Sequence, residues 1–266
     1  MSTVISITLT FIFAASSLMI HEFAHILAVN YLGGRVEKVG VLPLGLRAQF
    51  RGLEKLHAWE RYVIYSAGSI ANVITAAWTF SVSRMSYFGI PWLEELALFN
   101  IVLCVFNLIP ALPLDGGRIL KQFLSNRIGM LRANRIMLKL GLCISIFLIF
   151  LGFLQVVLYS YNITLLCAAM YIRRQNKEMK PALQMEFFNI LDRKKAPARS
   201  RLVPVKIIHI PDDATLKFAL ERLTMDHRAA FYIAGKCVFS EQELIVHIFE
   251  NGLHGTAQDC IVSNLK

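Results

Sequence analysis

Two histidines bracket a glutamate in His21-Glu22-Phe23-Ala24-His25. On a helix, residues i and i+4 face the same way. The two imidazoles can therefore share one Zn²⁺, with Glu22 beside them to take a proton from a metal-activated water. From Val4 to Leu32, only His21, Glu22 and His25 could carry charge near neutral pH. Ionisable groups are costly in a membrane-length apolar segment and mark function there. The plainer alternative is a soluble core helix carrying the pattern by chance, but the segment is too long and too apolar for that.

The elements that must position this triplet are read from hydropathy and charge. The chain has 266 residues, 56% of them hydrophobic, and a mean hydropathy of +0.52. This is an integral membrane composition with room for one small soluble domain. The net charge of +10 is juxtamembrane: residues 173–201 hold nine Lys/Arg against three Asp/Glu, while residues 202–266 hold six against eight. That distribution fits membrane topology and anionic lipid, and it speaks against nucleic acid. The five cysteines include no C-x-x-C pair, which points to reduced thiols rather than a disulfide framework. The first apolar stretch lacks a basic leader and a small-residue cleavage site, so a removable signal peptide is not expected.

Five spans are expected, at about 4–30, 62–83, 96–114, 136–155 and 157–173, with a tight turn in the polar stretch Tyr159-Ser160-Tyr161-Asn162. The basic loops 34–61 and 115–139 and the tail opening at Arg173-Arg174 belong inside by the positive-inside rule. This puts the N-terminus outside and the C-terminal domain in the cytosol. His25 lies eight residues before Gly33, so a metal there would sit roughly 12 Å from the inner end of its helix, within reach of cytosolic water.

A catalytic zinc takes three protein ligands and leaves one position for water. Residues 1–172 hold seven Asp/Glu, at positions 22, 37, 54, 60, 94, 95 and 115. Glu37, Glu54 and Glu60 fall in a solvated basic loop, and Glu94 and Glu95 at the outer boundary. Asp115 falls at the inner end of the third span and is the expected third ligand; His57 is a weaker candidate. Asp115 belongs to Asn107-Leu108-Ile109-Pro110-Ala111-Leu112-Pro113-Leu114-Asp115-Gly116-Gly117, where the prolines break a helix and Gly-Gly supplies an irregular turn. Broken backbone at membrane depth survives only when buried in protein or lining a wet cavity. Taken alone, Asp115 could equally be a turn residue; beside the His-Glu-x-x-His pattern it reads as a ligand.

After a basic linker (174–201, with a helix around 181–192), residues 202–266 read as a small α/β domain. A strand is expected at Val205–Ile210 and a helix through about Thr224. A hairpin around Gly235 follows, and Ser240 with Glu243 forms a capping box ahead of a helix at Leu244–Phe249. The fold class is thus mainly α: a polytopic helical bundle over 1–173 with a C-terminal α/β unit. No internal repeat is found.

The paired membrane motifs, together with Gly68-Ser69-Ile70-Ala71-Asn72 in the second span, resemble the site-2 protease family of intramembrane zinc metalloproteases over about residues 4–175. The tail resembles a single CBS domain, the arrangement of a sporulation branch of that family. The resemblance implies a zinc centre on His21, His25 and Asp115 with Glu22 as the catalytic base. It further implies a pro-sigma factor (pro-sigma-K) as substrate in the mother cell's forespore membrane, inhibitory membrane partner proteins, ATP at the CBS domain and a homo-oligomer through that domain. Close family members carry a further hydrophobic helix ahead of the His-Glu-x-x-His helix; with this chain's Met1, five spans rather than six are expected.

Asn107 is the best remaining polar candidate for holding substrate or an oxyanion, and bonding of its amide to the broken backbone nearby is the equal alternative. Asn72 is expected to bond between helices rather than touch substrate. The apolar loop 39–46 is either a partly buried connection or a re-entrant strand that pairs with substrate by β-addition. Two other functions fit parts of the pattern. One is a CBS-regulated transporter, against which stands the missing repeat; the other is an idle scaffold. A family protease cleaving an anti-sigma factor is the nearest variant.

Overall fold

The computed structural model describes residues 2–42, 45–53, 56–85, 90–158, 163–195, 204–211, 213–233, 236–253, 255–257 and 260, with the backbone alone at 2–7, 38–42, 45–49, 51 and 236–238. Two compact units emerge: residues 1–110 with 114–119, and residues 111–113 with 120–266.

The first unit contains α1 (Ser2–Tyr31), a hairpin of β1 (Arg35–Leu42) and β2 (Gly45–Arg51), α2 (Ala58–Met85) and α3 (Pro91–Asn107). It also holds the opening of α4 (Asp115–Ile128). Helix α2 packs on α1 and α3, and β1 and β2 both pack on α1. The bundle is apolar outside and buries a set of polar groups among its apolar residues. Phe11, Phe23, Ile74, Trp78 and Val105 are exposed, whereas Ser17, His21, His25, Ser69, Asn72, Thr79 and Asn100 are buried. That inversion suits a hydrocarbon solvent, which welcomes apolar surface and expels unpaired polar groups. The buried groups are knitted together: Asn100 donates to Ser17 Oγ (3.0 Å), and Thr79 returns its hydroxyl to Thr75 O (2.8 Å). Arg61, fully buried, donates to the carbonyls of Leu53 and Leu56 (3.3 Å each) and ties the strand–helix connection to α2.

Three described segments are long and apolar enough to cross a membrane: Thr8–Tyr31, Ala58–Met85 and Met130–Leu158. They match the first, second and fourth expected spans. The third differs, because α3 stops at Asn107 instead of 114; Pro110 and Pro113 cannot continue the hydrogen-bond ladder. The basic loop expected beyond it contains α4, a 14-residue amphipathic helix. The turn expected at 159–162 lies outside the described residues. The apolar segment after it begins at Thr164 and continues without a break into the basic stretch, as the 32-residue α6 (Thr164–Lys195).

The second unit contains the rest of α4, α5 (Met130–Leu158), α6 and the tail elements β3 (Val205–His209), α7 (Leu216–Glu221), β4 (Arg228–Ile233), β5 (Lys236–Ser240) and α8 (Glu241–Asn251). The three strands lie in the order β3-β4-β5, the first pair parallel and the second antiparallel. The helix expected around 181–192 is the C-terminal part of α6. It is no free linker, since Phe187, Ile190 and Leu191 enter the tail's core beside Ile208, Leu216, Phe231, Phe239, Leu244 and Ile245. The spacing 183, 187, 190, 191 and 194 is a helical stripe that an excess of charge on the other faces conceals. Lys194, the last member of the stripe, is buried, pairs with Glu241 (2.5 Å) and donates to the carbonyls of Thr224 (2.7 Å) and His227 (2.9 Å).

Strand β4 alternates, with Ala229, Phe231 and Ile233 turned to the core. Ser240 and Glu243 close the expected capping box, each side chain on the other's backbone N–H. Replacing Ser240 with Ala is expected to lower the stability of the tail by about 1 kcal/mol, read as a shift in the denaturation midpoint of the full chain; an unchanged midpoint would show that the cap contributes nothing.

Candidate metal centre

His21 and His25 lie one turn apart near the C-terminal end of α1, and Asp115 opens α4. Among the described residues, these three are the one His/Cys/Asp/Glu group arranged to hold a metal ion, and all three are buried. His21 Nε2 and His25 Nε2 are 3.2 Å apart, and Asp115 Oδ2 is 3.2 Å from the first and 3.1 Å from the second. The donors form a nearly equilateral triangle. Ligands around a tetrahedral zinc with bonds of about 2.0–2.1 Å stand roughly 3.3–3.4 Å apart, so the triangle has the size of one face of such a site.

The rings are held from behind. His25 Nδ1–H donates to the backbone carbonyl of Ile64 on α2 at 2.7 Å, which turns the Nε2 lone pair towards the other ligands. Asn72 Nδ2 lies 3.0 Å from His21 Nδ1, while Asn72 Oδ1 is buried without a protein partner. Turning the amide by 180° keeps the bond and reverses its donor and acceptor. Oδ1 then accepts from Nδ1–H, and His21 Nε2 is left as a ligand. This second position carries a metal better than the first, because a neutral imidazole that accepts at Nδ1 bears its proton on Nε2. Asp115 Oδ1, the oxygen turned away from the histidines, lies 3.9 Å from Arg118 Nη1.

Two glycines make room. A Cβ on Gly68 would fall 2.4 Å from His25 Nε2 and 2.7 Å from His21 Nε2, in the place the donors surround. A Cβ on Gly116 would fall 2.1 Å from Leu108 O, so the residue after Asp115 must be glycine for α4 to start against the broken end of α3. The donor chemistry and this cradle fit a Zn²⁺ ion.

Glu22 is half-buried beside the histidines on α1. Asn107, the last residue of α3, donates its amide to Leu103 O (3.0 Å) in its own helix. The bond lies within the intact helix and not on the broken backbone that follows it. His57 is exposed ahead of α2 and stands outside the metal group, its backbone N–H held by Glu60. Asn72 does bond between helices, and its partner proves to be a metal-ligand candidate. The Gly68–Asn72 segment carried the signal for both residues. The Ile64 carbonyl had none, since any residue supplies one.

Helices α1 and α4 thus bring together a buried His–His–Asp triangle fit to hold a metal ion. Comparison with known proteins shows what the chain is similar to. Residues 88–148, which include Asp115 but not the His-Glu-x-x-His motif, match the family model "Peptidase family M50". A zinc metalloprotease of Methanocaldococcus jannaschii is 29% identical over 213 residues, 78% of this chain and 59% of that protein. Stage IV sporulation protein FB of Bacillus subtilis is 25% identical over 130 residues, covering 49% of this chain and 45% of its own length. The putative zinc metalloprotease Rip3 of Mycobacterium tuberculosis is 32% identical over 158 residues, 53% and 38% of the two chains. The solved site-2 protease of M. jannaschii superposes with a TM-score of 0.51 at 29% identity, over 64% of this chain and 75% of that one. The chain is thus similar to peptidase family M50 and to site-2 proteases, and it spans between 38% and 59% of the length of these curated relatives.

Replacing Gly68 with Ala is expected to drive a methyl group into the donor triangle and empty the site, with helix content unchanged. Asn72→Ala is expected to weaken zinc about 10–100-fold. Metal analysis of the purified variants checks both, and full zinc occupancy in Asp115→Ala would remove that residue from the ligand set.

Proposed function

We propose that this chain is an intramembrane zinc metalloprotease that hydrolyses a peptide bond within or at the edge of the bilayer. The observation that carries this reading is the donor triangle of His21, His25 and Asp115, buried in a bundle whose outer surface is apolar, with Glu22 between the histidines. When bound there, zinc would polarise the scissile carbonyl and lower the pKa of water towards about 7. Glu22 takes the proton from that water and delivers it to the leaving nitrogen. Ile64 O and Asn72 fix the two imidazoles, so the site is organised before substrate arrives.

Substrate must be extended to be cut, because a helix shields its own amides. The β1–β2 hairpin supports entry by strand addition. Residues 39–42 and 45–46 of the apolar loop lie in its strands, paired Val39 with Ala48 through Leu42 with Gly45. It is a two-stranded sheet, so among the described residues each strand keeps one side unpaired.

The substrate we favour is a membrane-associated pro-sigma factor, pro-sigma-K, activated during sporulation. Its support is the similarity to stage IV sporulation protein FB and the β-α-β-β-α order of the tail, which suits a CBS unit. In that reading the N-terminus faces outward and the tail lies in the mother-cell cytosol. The tail takes ATP, pairs with a second copy of itself, and inhibitory membrane proteins restrain the protease. Co-expression of the chain with tethered pro-sigma-K should shorten the substrate on a gel. Glu22→Gln should keep its zinc and lose cleavage by several orders of magnitude; a Glu22→Gln protein that still cleaves would falsify the proposed base.

A further inference from the structure

The tail unit contains a cavity of about 190 Å³ lined by Arg127, Ile128, Lys206, Ile207, Ile208, His209 and Arg222. Three of its walls end in cations and none in a carboxylate. The two acids that flank Arg222 in sequence are engaged elsewhere: Glu221 pairs with Arg132 and Arg135, and Asp226 accepts from Gln122 and Asn126.

Arg222 is placed by its guanidinium lying 5.0 Å over the Phe218 ring, and its Nε is buried with no protein partner. Lys206 Nζ donates to Asn126 O (3.4 Å) and Arg127 O (3.3 Å), two carbonyls of the last turn of α4. This neutralises the negative helix end that would otherwise repel an anion, and leaves one ammonium proton free. Arg127 is exposed, with its guanidinium 5.4 Å over the Phe123 ring.

We propose that this cavity is a phosphate-binding site, filled by Arg222, Lys206 and Arg127 around one phosphate group. Its volume lies below the roughly 300–1,000 Å³ of pockets that enclose a drug-sized ligand, so it takes a phosphate and leaves the rest of the ligand outside. Arg127 and Ile128 directly precede α5, a helix long and apolar enough to span a membrane. The phosphate of an anionic phospholipid headgroup can therefore reach the site, as can a free phosphate or the terminal phosphate of a soluble molecule. The site stands independently of the protease reading, since none of its residues belongs to the metal centre.

The test uses the full chain, stripped of lipid in a neutral detergent. Pyrophosphate is titrated calorimetrically, and retention of phosphatidylglycerol against phosphatidylcholine is measured by native mass spectrometry. Wild type should bind at least one probe saturably. Binding of pyrophosphate alone identifies a soluble phosphate, and selective retention of phosphatidylglycerol identifies the lipid. Arg222→Gln should weaken binding about tenfold or more, and so should Arg127→Gln, whose exposed position leaves folding untouched. Arg173→Gln, on α6 outside the cavity, should bind like wild type. Failure of wild type to bind either probe overturns the site, as does wild-type binding in both cavity variants.

Discussion

The constraint on which the first unit depends is the burial of two imidazoles and a carboxylate inside an apolar bundle. Unpaired, such groups are strongly unfavourable in a medium without water. They persist because each is held on more than one side. Asp115 Oδ2 meets both histidines, Ile64 O takes the Nδ1 proton of His25, and Asn72 faces His21. The three helices are positioned by these contacts as much as by apolar packing, which between helices in hydrocarbon supplies little preference of its own.

That constraint also explains where small residues fall. The donors occupy the space a side chain of α2 would fill, so Gly68 stands there. The start of α4 runs against the carbonyls that end α3, so Gly116 follows the ligand. Pro110 and Pro113 release the chain from α3, and the short irregular passage lets one carboxylate turn to meet histidines ninety residues away in sequence. The break in the helix is what delivers the third ligand.

The tail elements of the second unit obey the opposite solvent rule. Their core is apolar and closed, with Phe231 and Phe239 stacked 5.0 Å apart and α6 contributing Phe187, Ile190 and Leu191. Charge sits in pairs around it, as in Lys194 with Glu241 and Arg132 with Glu221. Arg222 departs from this pattern. Its guanidinium lies over the Phe218 ring and pairs with no carboxylate among the described residues, and its side chain lines the cavity.

Much of this was legible in the amino-acid order, because local rules suffice for it. Helical spacing put His21 and His25 on one face, counting carboxylates singled out Asp115, and the Ser240–Glu243 capping box marked the start of α8. The two parts of α6 were expected separately, as a span and as a helix in a linker; charge hid that they form one helix whose apolar stripe enters the tail's core, and α4 read as a loop. What the sequence determined alone is the set of donors and their chemistry, which residue type and short-range periodicity carry. What only the tertiary structure decided is their assembly: the 3.1–3.2 Å triangle, the carbonyl of Ile64 behind His25 and the space left by Gly68. Those depend on how α1, α2 and α4 meet, and contacts between residues far apart in the chain leave no local periodicity to read.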